Sequence, residues 1–141
     1  MKKKLLALSL SLALGFSLVA WGNGGFGGLD SPPGEGGVGE GKTVGIAMPT
    51  QSSEPWIKDG DNMKAQLEEL GYEVKLQYAE DDVQMQVSQI ENFVAQQVDC
   101  LVIAAVDSGA LTTVEAQAKT AGIPIIAYDR LLMDTDAVSY Y

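Results

Sequence analysis

Histidine is absent from this 141-residue chain, and cysteine occurs once, as Cys100. Lack of imidazole removes the usual acid–base group near neutral pH and the commonest zinc ligand. A lone cysteine rules out a disulfide within the chain, and Cys100, set in an apolar run, reads as a small buried hydrophobe. Positive charge is scarce as well. Nine Lys and Arg face nineteen Asp and Glu, for a net charge of −10, and three of the nine are Lys2, Lys3 and Lys4. Nucleic-acid binding needs cations that displace counterions from phosphates, and docking on anionic lipid needs them too; neither fits. Only one long apolar run exists, Leu5 to Ala20, and it falls short of the about 20 residues of a membrane span.

That run follows the three lysines and precedes a glycine-rich stretch. The order reads as a secretory signal segment (1–21), a flexible tether (22–41) and one folded domain (42–141). An uncleaved N-terminal anchor is the alternative for the first part. Leu18-Val19-Ala20 approaches a lipobox, but Trp21 stands where the acylated cysteine would be, which removes the atom that carries lipid.

From Lys42 onward strands and helices alternate. Thr43–Met48 reads as a buried strand stopped by Pro49. A helix capped by Ser53 follows, carrying Ile57, Gly60, Met63, Leu67 and Leu70 on one face and ending at Gly71. Tyr72–Tyr78 alternates apolar and polar residues, as an edge strand does. An aspartate of Asp81-Asp82 caps a second helix with Val83, Val87, Ile90 and Val94 as its buried stripe. Cys100–Val106 is apolar on both faces and therefore central. Asp107-Ser108 is placed as the cap of a third helix, carrying Leu111, Val114, Ala118 and Ala121, and Ile123–Tyr128 is the last strand. Such alternation predicts an α/β fold, a doubly wound parallel Rossmann-like sheet with right-handed crossovers and strand order 2-1-3-4.

Ligands of such sheets bind beyond the carboxyl ends of the strands. Those ends carry Gln51 and Trp56 after the first strand, Glu80 to Asp82 after the second, Asp107 after the third, and Asp129 with Arg130 after the fourth. Carboxylates, an amide and a guanidinium match the hydroxyls and ring oxygen of a sugar, and an indole face covers its C–H patch. The same residues have plainer uses: the aspartates as helix caps, Trp56 in helix packing, Asp129–Arg130 as a local ion pair.

The segments Thr43-Val44-Gly45-Ile46-Ala47-Met48-Pro49-Thr50, Gln77-Tyr78-Ala79-Glu80-Asp81-Asp82, Leu101-Val102-Ile103-Ala104-Ala105 and Ile126-Ala127-Tyr128-Asp129-Arg130 resemble the N-terminal lobe of periplasmic monosaccharide-binding proteins of the xylose-binding and multiple-sugar-receptor type. The resemblance covers Lys42 to Tyr141. It implies a non-enzymatic receptor without cofactor or metal. Such a receptor is exported, binds an aldose such as xylose, glucose, galactose or arabinose, and delivers it to an ABC permease and sometimes to a chemoreceptor. It implies that Asp129 and Arg130 bond the sugar hydroxyls and ring oxygen, that Trp56 stacks on the ring and that Asp107 lies near a hydroxyl. Pro55 replaces the arginine that commonly precedes the tryptophan. Family members also continue through an Asp-Asn segment into a second lobe, whereas this sequence ends at Tyr140-Tyr141; the expectation is one lobe, with weak or absent sugar binding alone.

Two other classes share the scaffold. The effector domain of a LacI-type regulator would bring a helix-turn-helix and a basic surface, in place of the signal segment and acidic charge. A flavodoxin-like enzyme would bring a glycine-rich phosphate loop, where Pro49-Thr50-Gln51-Ser52 stands instead.

Overall fold

The computed structural model describes residues 37–141; the expected signal segment and most of the expected tether lie outside them. The elements run β1 (Thr43–Met48), α1 (Glu54–Glu69), β2 (Glu73–Tyr78), α2 (Val83–Ala95), β3 (Cys100–Ile103), α3 (Thr112–Thr120), β4 (Ile125–Ala127) and β5 (Val138–Tyr140). The strands form one parallel sheet in the order β2-β1-β3-β4-β5. The predicted order 2-1-3-4 is therefore present, with a fifth strand added at the far edge. β5 is three residues long and ends on exposed Tyr140, too short to announce itself by periodicity.

Two cores sandwich the sheet. On one face α1 lays Trp56, Met63 and Leu67 against Val44, Ile46, Met48, Val74 and Val102. On the other, α2 and α3 bring Ile90, Phe93, Val114 and Ala118 against Ala47, Leu101, Ile103 and Ile125. β1 alternates large residues toward α1 with small ones toward α2, as period-two geometry requires. Gly45 lies on the α2 side, where an added Cβ would come within 2.9 Å of the Phe93 ring. Gly60 is the buried residue of α1, and a Cβ there would strike the Tyr78 hydroxyl, so helix and sheet approach closely at that point. Before β1, the Gly39 N–H donates to the Leu70 carbonyl at 3.0 Å, seating the end of the glycine-rich stretch on the end of α1.

Several local expectations need correction. Leu70 is exposed because it occupies the C-cap position, past the last turn that faces the sheet. Gly71 follows in the left-handed region at φ 92°, the conformation that makes glycine a helix stop. In α2 the fully covered residues are Gln86, Ile90 and Phe93, while Val83, Val87 and Val94 flank them half-buried; the helix is rotated so that a polar residue takes the centre of the stripe. Asp107 does not cap α3. Its carboxylate accepts the Gly109 N–H at 2.9 Å in a turn that delays the helix to Thr112, with Leu111 at the cap position. Ala121, at the C-cap of α3, is exposed, and Glu115 takes a buried place on the inner face of the helix. Cys100 is half-buried, and burial pushes its thiol up, away from reactivity.

Glu115 is fully covered, and neither carboxylate oxygen has a hydrogen-bond partner among the described residues. Burial raises its proton affinity above the ordinary carboxylate value of 4.5, and the Thr135 side chain offsets only part of this. At pH below 4.5 the group is protonated in both folded and unfolded chains. As pH rises through the raised folded value, the unfolded chain releases its proton first and stability falls. Urea unfolding of wild type and Glu115→Gln should therefore diverge with pH. The wild type loses midpoint on going from acid toward neutrality relative to the amide variant, and parallel pH profiles would contradict the assignment.

Candidate functional site

The site is built where four chain segments leave the sheet. Beyond β1, Thr50 is buried and its hydroxyl accepts the Ser52 N–H at 3.1 Å while sharing a 2.9 Å hydrogen bond with the Ser52 hydroxyl. This tight turn hands the chain to α1, which begins after Ser53. Ser53 holds the N-cap position without a side-chain bond, and Glu54 and Pro55 fill the first turn, a place where proline costs no hydrogen bond. Trp56 follows at once. Its indole is half-buried on the α1 core at the ligand edge of the sheet.

Beyond β2, Glu80 and Asp81 both adopt left-handed backbone, at φ 52° and 60°. Ala79 N–H donates to the Met48 carbonyl at 3.0 Å, and Asp81 N–H to the Pro49 carbonyl at 2.9 Å, which ties the ends of β1 and β2 together. Asp82 caps α2 by accepting the Met85 N–H at 2.8 Å. Asp82 thus has the capping use, while Asp81 is an exposed turn residue.

β4 ends at Ala127. Tyr128 is half-buried, and its phenol is pushed up by burial and by the neighbouring Asp59 carboxylate. Asp129 then turns left-handed at φ 62°, a conformation aspartate tolerates better than most residues. The next N–H, of Arg130, donates to the Tyr128 carbonyl at 2.6 Å. This reversal sends the Arg130 side chain back across the end of β3. One guanidinium nitrogen donates to the Ala105 carbonyl at 2.7 Å and lies 3.4 Å from the Val106 carbonyl. The guanidinium carbon sits 5.2 Å from the centre of the Trp56 ring, within cation–π range.

Arg130 and Trp56, far apart in sequence, are thus brought into contact. Arg130 is not consumed by a local ion pair with Asp129; two backbone carbonyls and an indole hold it. Asp107 lies in the turn after β3, directly beyond the carbonyls that Arg130 grips, with one carboxylate oxygen bonded to Gly109. Asp129 is exposed beside Arg130, and Gln51 is exposed in the bend after β1, whose internal bonds are made by Thr50 and Ser52 instead. Groups of three or more metal-ligating side chains are absent among the described residues. The chemistry on offer is hydrogen bonding by carboxylates and a fixed guanidinium, next to an aromatic face.

The periplasmic binding protein domain family matches residues 44–141. The chain belongs to that family. Among its relatives, the multiple sugar-binding periplasmic protein SbpA of Azospirillum brasilense is 54% identical over 99 residues, covering 70% of this chain and 28% of that protein. The D-xylose-binding periplasmic protein of Escherichia coli is 38% identical over 98 residues, 70% of this chain and 29% of that protein. A solved ABC transporter solute-binding protein from Clostridium phytofermentans, with bound β-D-glucose, superposes with a TM-score of 0.69 at 57% identity, covering 70% of this chain and 31% of that one. The chain spans less than a third of the length of these relatives.

One contributor escaped the reading of the sequence. Gln86 is buried in α2 and bonds the backbone at the end of β3 at two points. Its signal was present: it falls four residues before Ile90, on the stripe that also holds Phe93, but apolar counting passes over a glutamine.

Proposed function

We propose that this chain is the sugar-facing N-terminal lobe of an exported receptor that binds an aldose and presents it to an ABC-type permease. The observation that carries the reading is the Arg130–Trp56 pair at the open end of the β1 and β3 strands. A guanidinium held by two carbonyls keeps free N–H donors for a ring oxygen or hydroxyl, and the indole beside it offers the apolar surface a pyranose ring needs. Asp129 and Asp107 supply acceptors for neighbouring hydroxyls, and Gln51 an amide at the rim. The names of relatives, which bind multiple sugars, D-xylose or β-D-glucose, support a monosaccharide as the ligand class. The lysine-led apolar segment at the start of the sequence supports export. A chemoreceptor as a second partner fits the same class of protein.

The described residues form a single open wall. One wall supplies part of the hydrogen bonds and leaves the sugar hydrated on its other side, so the affinity of this chain alone is expected to be millimolar or weaker. Titration calorimetry with xylose, glucose, galactose and arabinose measures this. Micromolar binding of any of the four would contradict the account of a one-sided site.

A further inference from the structure

Gln86 stands out among the groups that the sugar-binding reading leaves unused. It is a fully covered amide on the α2 face of the sheet, and all of its bonding goes to one short piece of backbone. Its Nε2 donates to the Ala104 carbonyl at 2.9 Å, and its Oε1 accepts the Val106 N–H at 2.8 Å. The Val106 N–H belongs to the same peptide unit as the Ala105 carbonyl, and the next peptide carries the carbonyl of Val106. These are the two carbonyls on which Arg130 rests. One side chain from below the sheet and one from beyond its end therefore grip the same three residues, from opposite sides. β3 ends at Ile103 and its last bond to a neighbouring strand is the Ala104 N–H to the Ala47 carbonyl at 3.0 Å, so the two peptide planes from Ala104 to Val106 lie beyond the ladder. Three residues later in α2, Gln89 donates its Nε2 to the Tyr78 carbonyl at the end of β2, at 2.8 Å.

We infer that Gln86 is a positioning residue for the ligand-facing end of β3. By clamping Ala104 and Val106 it orients the Ala105 and Val106 carbonyls that hold the Arg130 guanidinium over Trp56. A buried amide suits this task, since it donates and accepts at once across a gap that no apolar residue spans and no carboxylate spans while ionised. The consequence for sugar binding rests on the receptor reading above; the placing of Arg130 does not.

The test uses the full chain with Trp21→Phe, which leaves Trp56 as the only tryptophan. The near-UV circular dichroism band of Trp56 and its quenching by acrylamide report whether the guanidinium still covers the ring. Arg130→Gln supplies the signature of the uncovered indole, and glucose is titrated against every variant. Gln86→Leu, which can bond neither point, should lose the Trp56 band to the level of Arg130→Gln. Gln86→Glu is the conservative variant: protonated at acidic pH it donates and accepts as the amide does, and the band should match that of wild type there. As pH rises and the carboxyl ionises, the band should fall toward that of Arg130→Gln, while wild type changes little over the same range. A Gln86→Glu protein that stays folded at alkaline pH with a wild-type Trp56 band, showing only a lower melting temperature, overturns the positioning role. So does a Trp56 band that fails to return on acidification of the folded variant. Micromolar glucose binding by the wild-type chain would contradict the one-sided receptor site, and the Trp56 signatures decide the role of Gln86 in either case.

Discussion

Replacing Phe93 by alanine lowers stability by about 3–5 kcal/mol, the range for truncating a fully covered aromatic. Domains of this kind are held by only about 5–15 kcal/mol in total, so the variant approaches the limit of folding. Phe93 carries this weight because of what faces it. Its ring fills the notch above Gly45 in β1, with Leu101 of β3 closing the side. Alanine leaves a cavity that two strands cannot move to fill, since β1 is locked to β2 and β3 along its length. The same packing predicts a coupling. Gly45→Ala in the wild type drives a methyl to 2.9 Å from the Phe93 ring and 3.2 Å from Leu101, and is destabilising. In the Phe93→Ala background that methyl points into vacated space and costs less, so the two changes are not additive. Urea midpoints of the four proteins measure both effects; additive values would contradict the contact.

Arg130→Gln is expected to abolish measurable sugar binding by this chain. The variant loses the charge-assisted donors to the ligand, worth about 1.5–3 kcal/mol for a bond to a charged group, or roughly 10- to 150-fold in affinity at about 1.4 kcal/mol per tenfold. It also releases the Ala105 and Val106 carbonyls and uncovers Trp56. Since Arg130 is an exposed residue outside both cores, folding stability should change little. Equilibrium titration together with thermal unfolding checks the pair of outcomes. A variant that binds glucose as the wild type does, or one that fails to fold, would contradict this division of roles.

The contrast between these two residues reflects which parts of the molecule were legible in the sequence. β1 matched its expected limits residue for residue, because an apolar run closed by Pro49 leaves little choice. The ends of α1, the glycine stop at Gly71 and the aspartate cap of α2 were legible for equally local reasons. Where a residue had two possible uses, tertiary context decided. Asp107 could cap α3 or turn the chain, and the turn with Gly109 prevailed. Gln86 could sit on the water side or the inner side of α2. The inner side prevailed because unladdered carbonyl and N–H groups at the end of β3 wait there for an amide. β5 exists only through its pairing with β4, and three residues carry no period of their own. The site divides in the same way. Its members could be named from their place after the strands, but the stacking of Arg130 on Trp56 depends on the left-handed turn at Asp129 and on the angle at which α1 leaves the sheet. Neither is written in local spacing.

The central claim is that the strand ends bearing Trp56 and Arg130 form the sugar-facing surface. Residue-resolved NMR during titration of the isotope-labelled chain with D-glucose and D-xylose tests it most directly. Saturable shifts are expected at the Trp56 indole N–H, the Arg130 guanidinium N–H and the backbone amides of Asp107 and Asp129, with a common millimolar constant. Shifts confined to another surface, such as the outer face of α3 around Thr113 and Gln117, or no shift at the strand ends at saturating sugar, would contradict it.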